Sequence, residues 1–212
     1  MGHLVIAISR EFGSNGREIG EQVAKRLGIS YYDKVLLQLA AERSGLSPEF
    51  MERNEEQASS SFLFNLSTAA HSASNFFYQY DVPLGDKAFF AQAEVMRELA
   101  EREPCVIVGR CADYVLRNHG QCLKIFLRAP LDHRVEQVAR ILDLTPDEAR
   151  TRTLRMDKGR ANYYRHYTGE PWGTAHNYDL TVNTALSGTR GAVDVICTMA
   201  RAVEEAPSSS PL

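Results

Sequence analysis

Short runs of continuously apolar, β-branched residues alternate along the chain with longer segments whose apolar positions recur every three or four residues. These are the periods of buried strands and of amphipathic helices. His3–Ser9 (HLVIAIS) is nearly continuous in apolar character, as a strand covered on both faces must be. Ile19, Val23, Ala24 and Leu27 then share one helical face, and Gly28 stands where a helix C-cap belongs. Ile29–Tyr32 predicts a second strand and Lys34–Arg43 a helix through Leu36, Leu37, Leu39 and Ala40. Ser47-Pro48-Glu49 predicts the start of another helix. Asp86–Glu103 predicts a long amphipathic helix, and Cys105–Val108 and Leu123–Leu127 predict buried strands. A helix from Pro130 and Asp132 through about Leu142 follows, and Thr145-Pro146-Asp147-Glu148 opens a strongly basic one with a capping-box pattern. Leu180–Asn183 gives the last strand and Thr189–Glu204 the last helix.

Strands separated by helices imply a parallel sheet with right-handed crossovers, and such sheets bind ligands beyond the carboxyl ends of their strands. We therefore expect a three-layer α/β fold with about five parallel strands, in a single domain over residues 1–205. Two stretches break the pattern. Residues 58–85, including SSSFLFNLSTAAHSASNFFYQY, predict an irregular or helical insert. Within it Phe62, Leu63, Phe64 and Leu66 read as core or as a dimer patch, so monomer and homodimer both stay open. Residues 206–212 predict a disordered tail.

The turn between the first strand and first helix holds the first chemistry. Gly13, Ser14, Asn15, Gly16, Arg17 and Glu18 lie where backbone N–H groups can converge on a phosphate, beside the positive end of a helix. Against the pattern G-x-x-x-x-G-K-[ST], Gly16 aligns with the second glycine; Glu11 replaces the first, Arg17 the lysine and Glu18 the hydroxyl residue. Arg17 supplies a full positive charge, and the Glu18 carboxylate can ligate Mg2+. A phosphate-binding loop and a bare strand-to-helix turn are the two alternatives.

Composition narrows the field. With 212 residues and 44% apolar content the chain can bury a sizeable core. Its 24 Lys and Arg against 27 Asp and Glu leave a net charge of -3, which gives no footprint for a nucleic-acid polymer or an anionic membrane. No apolar run approaches the roughly 20 residues of a membrane span, and we expect a cytoplasmic protein. Cys105, Cys111, Cys122 and Cys197 lack zinc-site spacing and read as buried thiols.

Taken together, ISREFGSNGREIG, ISYYDK, VIVGRCADYVL, MDKGRANYYRHYTGEPWG and NYDLTVNT resemble the cytidylate-kinase-like family of P-loop proteins, over about Leu4 to Val203. The resemblance implies a P-loop NTPase-type fold with a helical lid at residues 146–172 and an inserted acceptor-side region. It also implies ATP and Mg2+ as donor and cofactor, and a nucleoside monophosphate, CMP or dCMP, as acceptor. By that likeness Arg17 spans the β and γ phosphates of ATP. Arg110, in the strand-end Gly109-Arg110, orients the acceptor phosphate; Cys111 stands where the family pattern has aspartate. Asp157 and Arg160 match a lid Asp-x-x-Arg motif, with Arg155 and Arg160 neutralising the migrating phosphoryl group. Asp33 either organises the nucleotide site or caps the helix from Lys34. Tyr163, Tyr164, Tyr167 and Trp172 read as packing ahead of base stacking. Two alternatives to a nucleotide kinase stand beside it: a nucleotide-binding regulatory module that does not transfer phosphate, and a kinase of another small phosphate acceptor.

Overall fold

The computed structural model describes residues 3–56 and 83–205. The insert expected over 58–85 lies outside the described residues up to position 82, as do the apolar residues Phe62 to Leu66 and the 206–212 tail. Five parallel strands form one sheet: β1 (Val5–Arg10), β2 (Ser30–Tyr32), β3 (Cys105–Val108), β4 (Cys122–Arg128) and β5 (Leu180–Asn183), in the order β2-β3-β1-β4-β5. The helices between them are α1 (Gly16–Leu27), α2 (Lys34–Ser44), α3 (Pro48–Glu56), α4 (Leu84–Arg102), a short α5 (Ala112–Val115), α6 (Leu131–Leu142), α7 (Pro146–Thr168) and α8 (Thr184–Glu205).

The central place of β1 follows from its sequence. All six of its residues are buried, and their alternation serves two cores. Val5 and Ala7 join the cluster built with Leu36, Leu37, Met96 and Leu99 of α2 and α4. Ile6 and Ile8 join Ile19 and Val23 of α1 with Val193 and Ile196 of α8. Burying each isoleucine is worth about 1.5–3 kcal/mol, so a one-residue slip would exchange the faces and disrupt both layers. Gly28 ends α1 in the left-handed region, and Thr145 and Glu148 form the expected reciprocal capping box at the start of α7.

Boundaries differ where tertiary contacts take over. β1 starts at Val5 and extends to Arg10 because Arg10 stays in register with Leu127 of β4. α4 starts at Leu84, so residues 84 and 85 belong to a helix and not to the insert. The last helix starts five residues early, at Thr184, whose hydroxyl donates to the Arg128 carbonyl, and it breaks at Gly188 (φ 61°). The four cysteines form no disulfide with one another, and burial pushes the Cys105 and Cys122 thiols up to about 12. Among the described residues no helix is long and apolar enough to cross a membrane.

Beneath the carboxyl end of the sheet, the buried Asp113 carboxylate accepts hydrogen bonds from Tyr164 Oη (2.7 Å) and Ser9 Oγ (3.3 Å). It ties α7 to β1 through α5. Burial raises the Asp113 pKa above its ordinary 3.8, outweighing the Tyr164 hydrogen bond. Between the unfolded and the raised folded value the folded state keeps a proton that the unfolded state has lost, so this group's contribution to stability falls as pH rises. Asp113→Asn keeps the acceptor for Tyr164 and removes the charge. Thermal unfolding from pH 4 to 8 is expected to show a smaller loss of stability with rising pH in the variant than in the wild type.

Candidate functional site

β1 and β3 end side by side, and most of the candidate residues stand at those ends. After β1 the chain passes Glu11, whose N–H donates to Leu127 O (2.9 Å) and whose carboxylate accepts from Ala129 N (2.9 Å). Glu11, at the position of the first glycine in the standard pattern, thus fastens the loop to the end of β4. Burial nevertheless raises its pKa, because the Ala129 N–H and Arg134 only partly offset the lost solvation. Ser14 is buried, and its hydroxyl donates back to Glu11 O (2.8 Å). Gly13 (φ 82°) and Asn15 (φ 58°) are left-handed, which turns the chain into α1. The amides of Gly16, Arg17 and Glu18 then fall in the first helical turn, where no intrahelical carbonyl reaches them. They are the donors an anion meets there.

The side chains converge on the same place. Asp33 is the N-cap residue of α2 by position, yet its side chain makes no cap hydrogen bond. The capping alternative therefore fails. Its carboxylate is 3% exposed and faces two arginines: Arg17 Nε at 2.5 Å and Arg110 Nη2 at 3.6 Å. Burial alone would lower the Arg17 pKa; the charge and hydrogen bond of Asp33 reverse that and raise it. Tyr31 donates to Arg17 O (3.2 Å) and fixes the backbone from the other side. Gly109, Arg110 and Cys111 all have positive φ (81°, 59° and 57°), so the chain leaving β3 makes a left-handed turn that points Arg110 back into the protein. Gly109 suits that turn: its φ is 81°, and a Cβ there would have to displace the Arg10 guanidinium.

A cleft of about 460 Å3 opens beside the loop. Arg10, Arg17, Arg152 and Arg160 line it together with Glu18 and Glu21. Val138, Ile141 and Leu142 of α6 form an apolar wall, with Ile141 62% exposed. A second cavity of about 10 Å3, room for one water, lies between Arg10, Arg110, Arg160 and Tyr164.

Two placements, those of Arg155 and Asp157, differ from the expected roles. Arg155 is exposed and does not line the cleft; it sits about 140° around α7 from Arg160, whereas Arg152, two turns away from Arg160, shares its side. Asp157 does not face the cleft as a free carboxylate, because its oxygens accept from Phe12 N (2.8 Å) and Arg134 Nη1 (2.6 Å). It braces α7 against the loop. Arg160 donates to Arg10 O (3.1 Å), with its guanidinium 5.5 Å from the centre of the Phe12 ring. Tyr163 and Tyr167 pack on Phe89, and Trp172 on Phe126, as packing residues do.

Arg10, Arg134 and Asp113 were not singled out from the sequence. Arg134 is buried and donates to Ala129 O, Phe12 O and Asp157, which joins the end of β4, the loop and α7. The only sequence signal for it was an arginine on a helix entering from a strand end, which also describes a surface residue.

Mg2+ fits the residues present. Among the described residues no group of three or more acidic, His or Cys side chains forms a metal site. Glu18 lines the cleft, and one of its carboxylate oxygens accepts from Gln22 Nε2 (3.1 Å), which leaves the other for an ion that keeps most of its ligands as water and phosphate oxygens.

Residues 5–186 match the model of the cytidylate kinase-like family. The chain is 30% identical to the cytidylate kinase of Halobacterium salinarum over 102 residues, covering 48% of this chain and 53% of that protein. It thus spans about half the length of the curated relatives matched at that level of identity. The cytidylate kinase of Natronomonas pharaonis is 27% identical over 91% of this chain and 87% of its own length. Among solved structures, an uncharacterized protein from Eubacterium ventriosum superposes with a TM-score of 0.71 at 26% identity, over 94% of this chain and 99% of that one. Shikimate kinase from Bacteroides thetaiotaomicron shares the fold at a TM-score of 0.52 and 12% identity, over 93% and 98% of the two chains.

Proposed function

The chain belongs to the cytidylate kinase-like family, and from that premise we propose that it transfers the γ-phosphoryl group of ATP to a nucleoside monophosphate, CMP or dCMP. The observation that carries this reading is the meeting of Arg17 from the glycine loop, Asp33 from the end of β2 and Arg110 from the end of β3. Donor-side and acceptor-side cations are held close together there by one carboxylate, and in-line transfer needs two phosphates held close together.

The amides of Gly16 to Glu18 and the Arg17 guanidinium hold the donor phosphates, and the apolar wall of Val138, Ile141 and Leu142 receives the donor base. Arg110 orients the acceptor phosphate so that its oxygen lies in line with the bond to be broken. Arg160, with Arg152, offsets charge on the transferring group from the lid side, while Asp157 and Arg134 keep that side fixed to the loop. Glu18 is the side chain that would hold Mg2+, which would supply positive charge to offset the donor phosphates. Without it Glu18 repels them, so chelation is expected to weaken ATP binding by at least about tenfold, read by titration calorimetry. Unchanged affinity in chelator would remove Glu18 from the site.

The test of the function is ADP production from MgATP with CMP, dCMP, UMP, AMP and GMP in turn. Wild type is expected to respond to CMP or dCMP. Arg110→Ala is expected to raise the acceptor KM and lower kcat while leaving the Kd for MgATP within about threefold of wild type. MgATP binding with no acceptor-dependent turnover would instead favour a regulatory nucleotide-binding module.

A further inference from the structure

The loop carries an arginine where the standard phosphate-binding pattern has lysine, and the geometry around it gives that difference a use. Arg17 spends only its Nε on Asp33 Oδ2, at 2.5 Å. The side chain is 57% exposed, while Asp33 is 3% exposed. A guanidinium has five donors in a plane, so one edge can hold a carboxylate while the opposite edge meets a phosphate. An ammonium is a single point of charge, and bringing it to Asp33 withdraws it from the cleft.

The other oxygen, Asp33 Oδ1, is buried and makes no hydrogen bond. The cation facing it is Arg110, whose Nη2 lies 3.6 Å away, about 0.7 Å beyond a charge-assisted hydrogen bond. Arg110 is itself buried, on a backbone held in three successive left-handed residues. The two ends of Asp33 are therefore unequal: one is closed on the donor-side arginine, and the other is open toward the acceptor-side arginine.

We propose that Asp33 couples the two substrate sites: donor phosphates on the outer edge of Arg17 fix the Arg17–Asp33 pair, and Asp33 Oδ1, so fixed, holds the fork of Arg110 in place for the acceptor phosphate. This rests on the donor and acceptor assignments above and adds to them a dependence of one site on the other. Asp33 is in this account a positioning residue, and Arg17 is the element that lets it respond. Binding free energies are linked in both directions, so the acceptor must tighten the donor by the same factor.

The experiment is titration calorimetry of CMP into the full chain, with and without saturating MgADP, for wild type, Asp33→Asn and Arg17→Lys. In wild type MgADP is expected to tighten CMP by roughly tenfold, within the usual range of such couplings. In both variants the ratio is expected to fall below about twofold, with the folded state verified by thermal unfolding. Asn keeps the shape of Asp33 without its charge, and Lys keeps the charge of Arg17 without its second edge. A role for Asp33 in structure alone predicts that Arg17→Lys retains the wild-type ratio, and that result would overturn the coupling. So would equal CMP affinity with and without MgADP in wild type. Absence of CMP binding under either condition would refute the acceptor assignment, and the coupling with it.

Discussion

Arg17→Ala is expected to lower acceptor-dependent ADP formation about a thousandfold, the scale on which a cation is worth at a transferring phosphoryl group. The expectation follows from where the charge stands. The neighbouring loop groups are already committed: Ser14 Oγ closes the turn on Glu11 O, and Glu11 is bound to Ala129 N. Arg17 is the side chain of the loop that brings positive charge to the cleft while remaining half-exposed to it. Its removal also strips Asp33 of its closed partner, leaving the carboxylate to Arg110 alone. The effect should therefore appear in both kcat and the acceptor KM. A loss confined to the KM for ATP would mean that Arg17 binds the donor without assisting transfer.

Gly13→Ala is expected to cost about 2–5 kcal/mol of stability, from about 1–2 for a left-handed non-glycine residue and about 1–3 for overpacking. Gly13 has φ 82°, and a Cβ there would lie 2.8 Å from Arg134 O and 3.0 Å from Val138 Cγ2. The first contact is with helix backbone, which cannot swing aside as a side-chain tip can. For a chain of this size the cost corresponds to a fall in Tm of roughly 4–20 °C. Gly28→Ala is the control, because Gly28 also has positive φ (69°) but no atom within 4 Å of the added Cβ. It should lose only about 1–2 kcal/mol. Equal losses in the two variants would show that the loop does not pack against α6 as described.

The parts of the fold that depend on local pattern were legible in the sequence. Continuous apolar runs gave the positions of β1, β3, β4 and β5, and the cap residues Gly28 and Thr145 gave helix ends to the residue, because caps and periodicity act within one turn. The short α5 is not legible in the sequence because its four residues make barely one helical turn, too little to show a period, between two left-handed positions and a turn. Within the site, Gly13 to Glu18 could be found because a glycine-rich strand-to-helix turn is itself a local motif. Arg134 and Asp113 could not: their partners lie tens of residues away, at Phe12 and Asp157 for one and at Ser9 and Tyr164 for the other. Asp33 shows the same limit from the opposite side. Its local context favoured a helix cap as much as a site residue, and only the long-range approach of Arg17 and Arg110 separated the two. Arg155 and Asp157 were named from a motif whose spacing leaves open which face of α7 meets the cleft.

The central claim is phosphoryl transfer between a donor at the Gly13–Arg17 loop and an acceptor at Arg110. Its most direct test is to incubate the wild-type chain with MgATP and CMP and follow both nucleotides by phosphorus NMR. Equal amounts of ADP and CDP, formed only when CMP and Mg2+ are both present, are the predicted result. Bound MgATP with no diphosphate product from CMP, dCMP, UMP, AMP or GMP would contradict it.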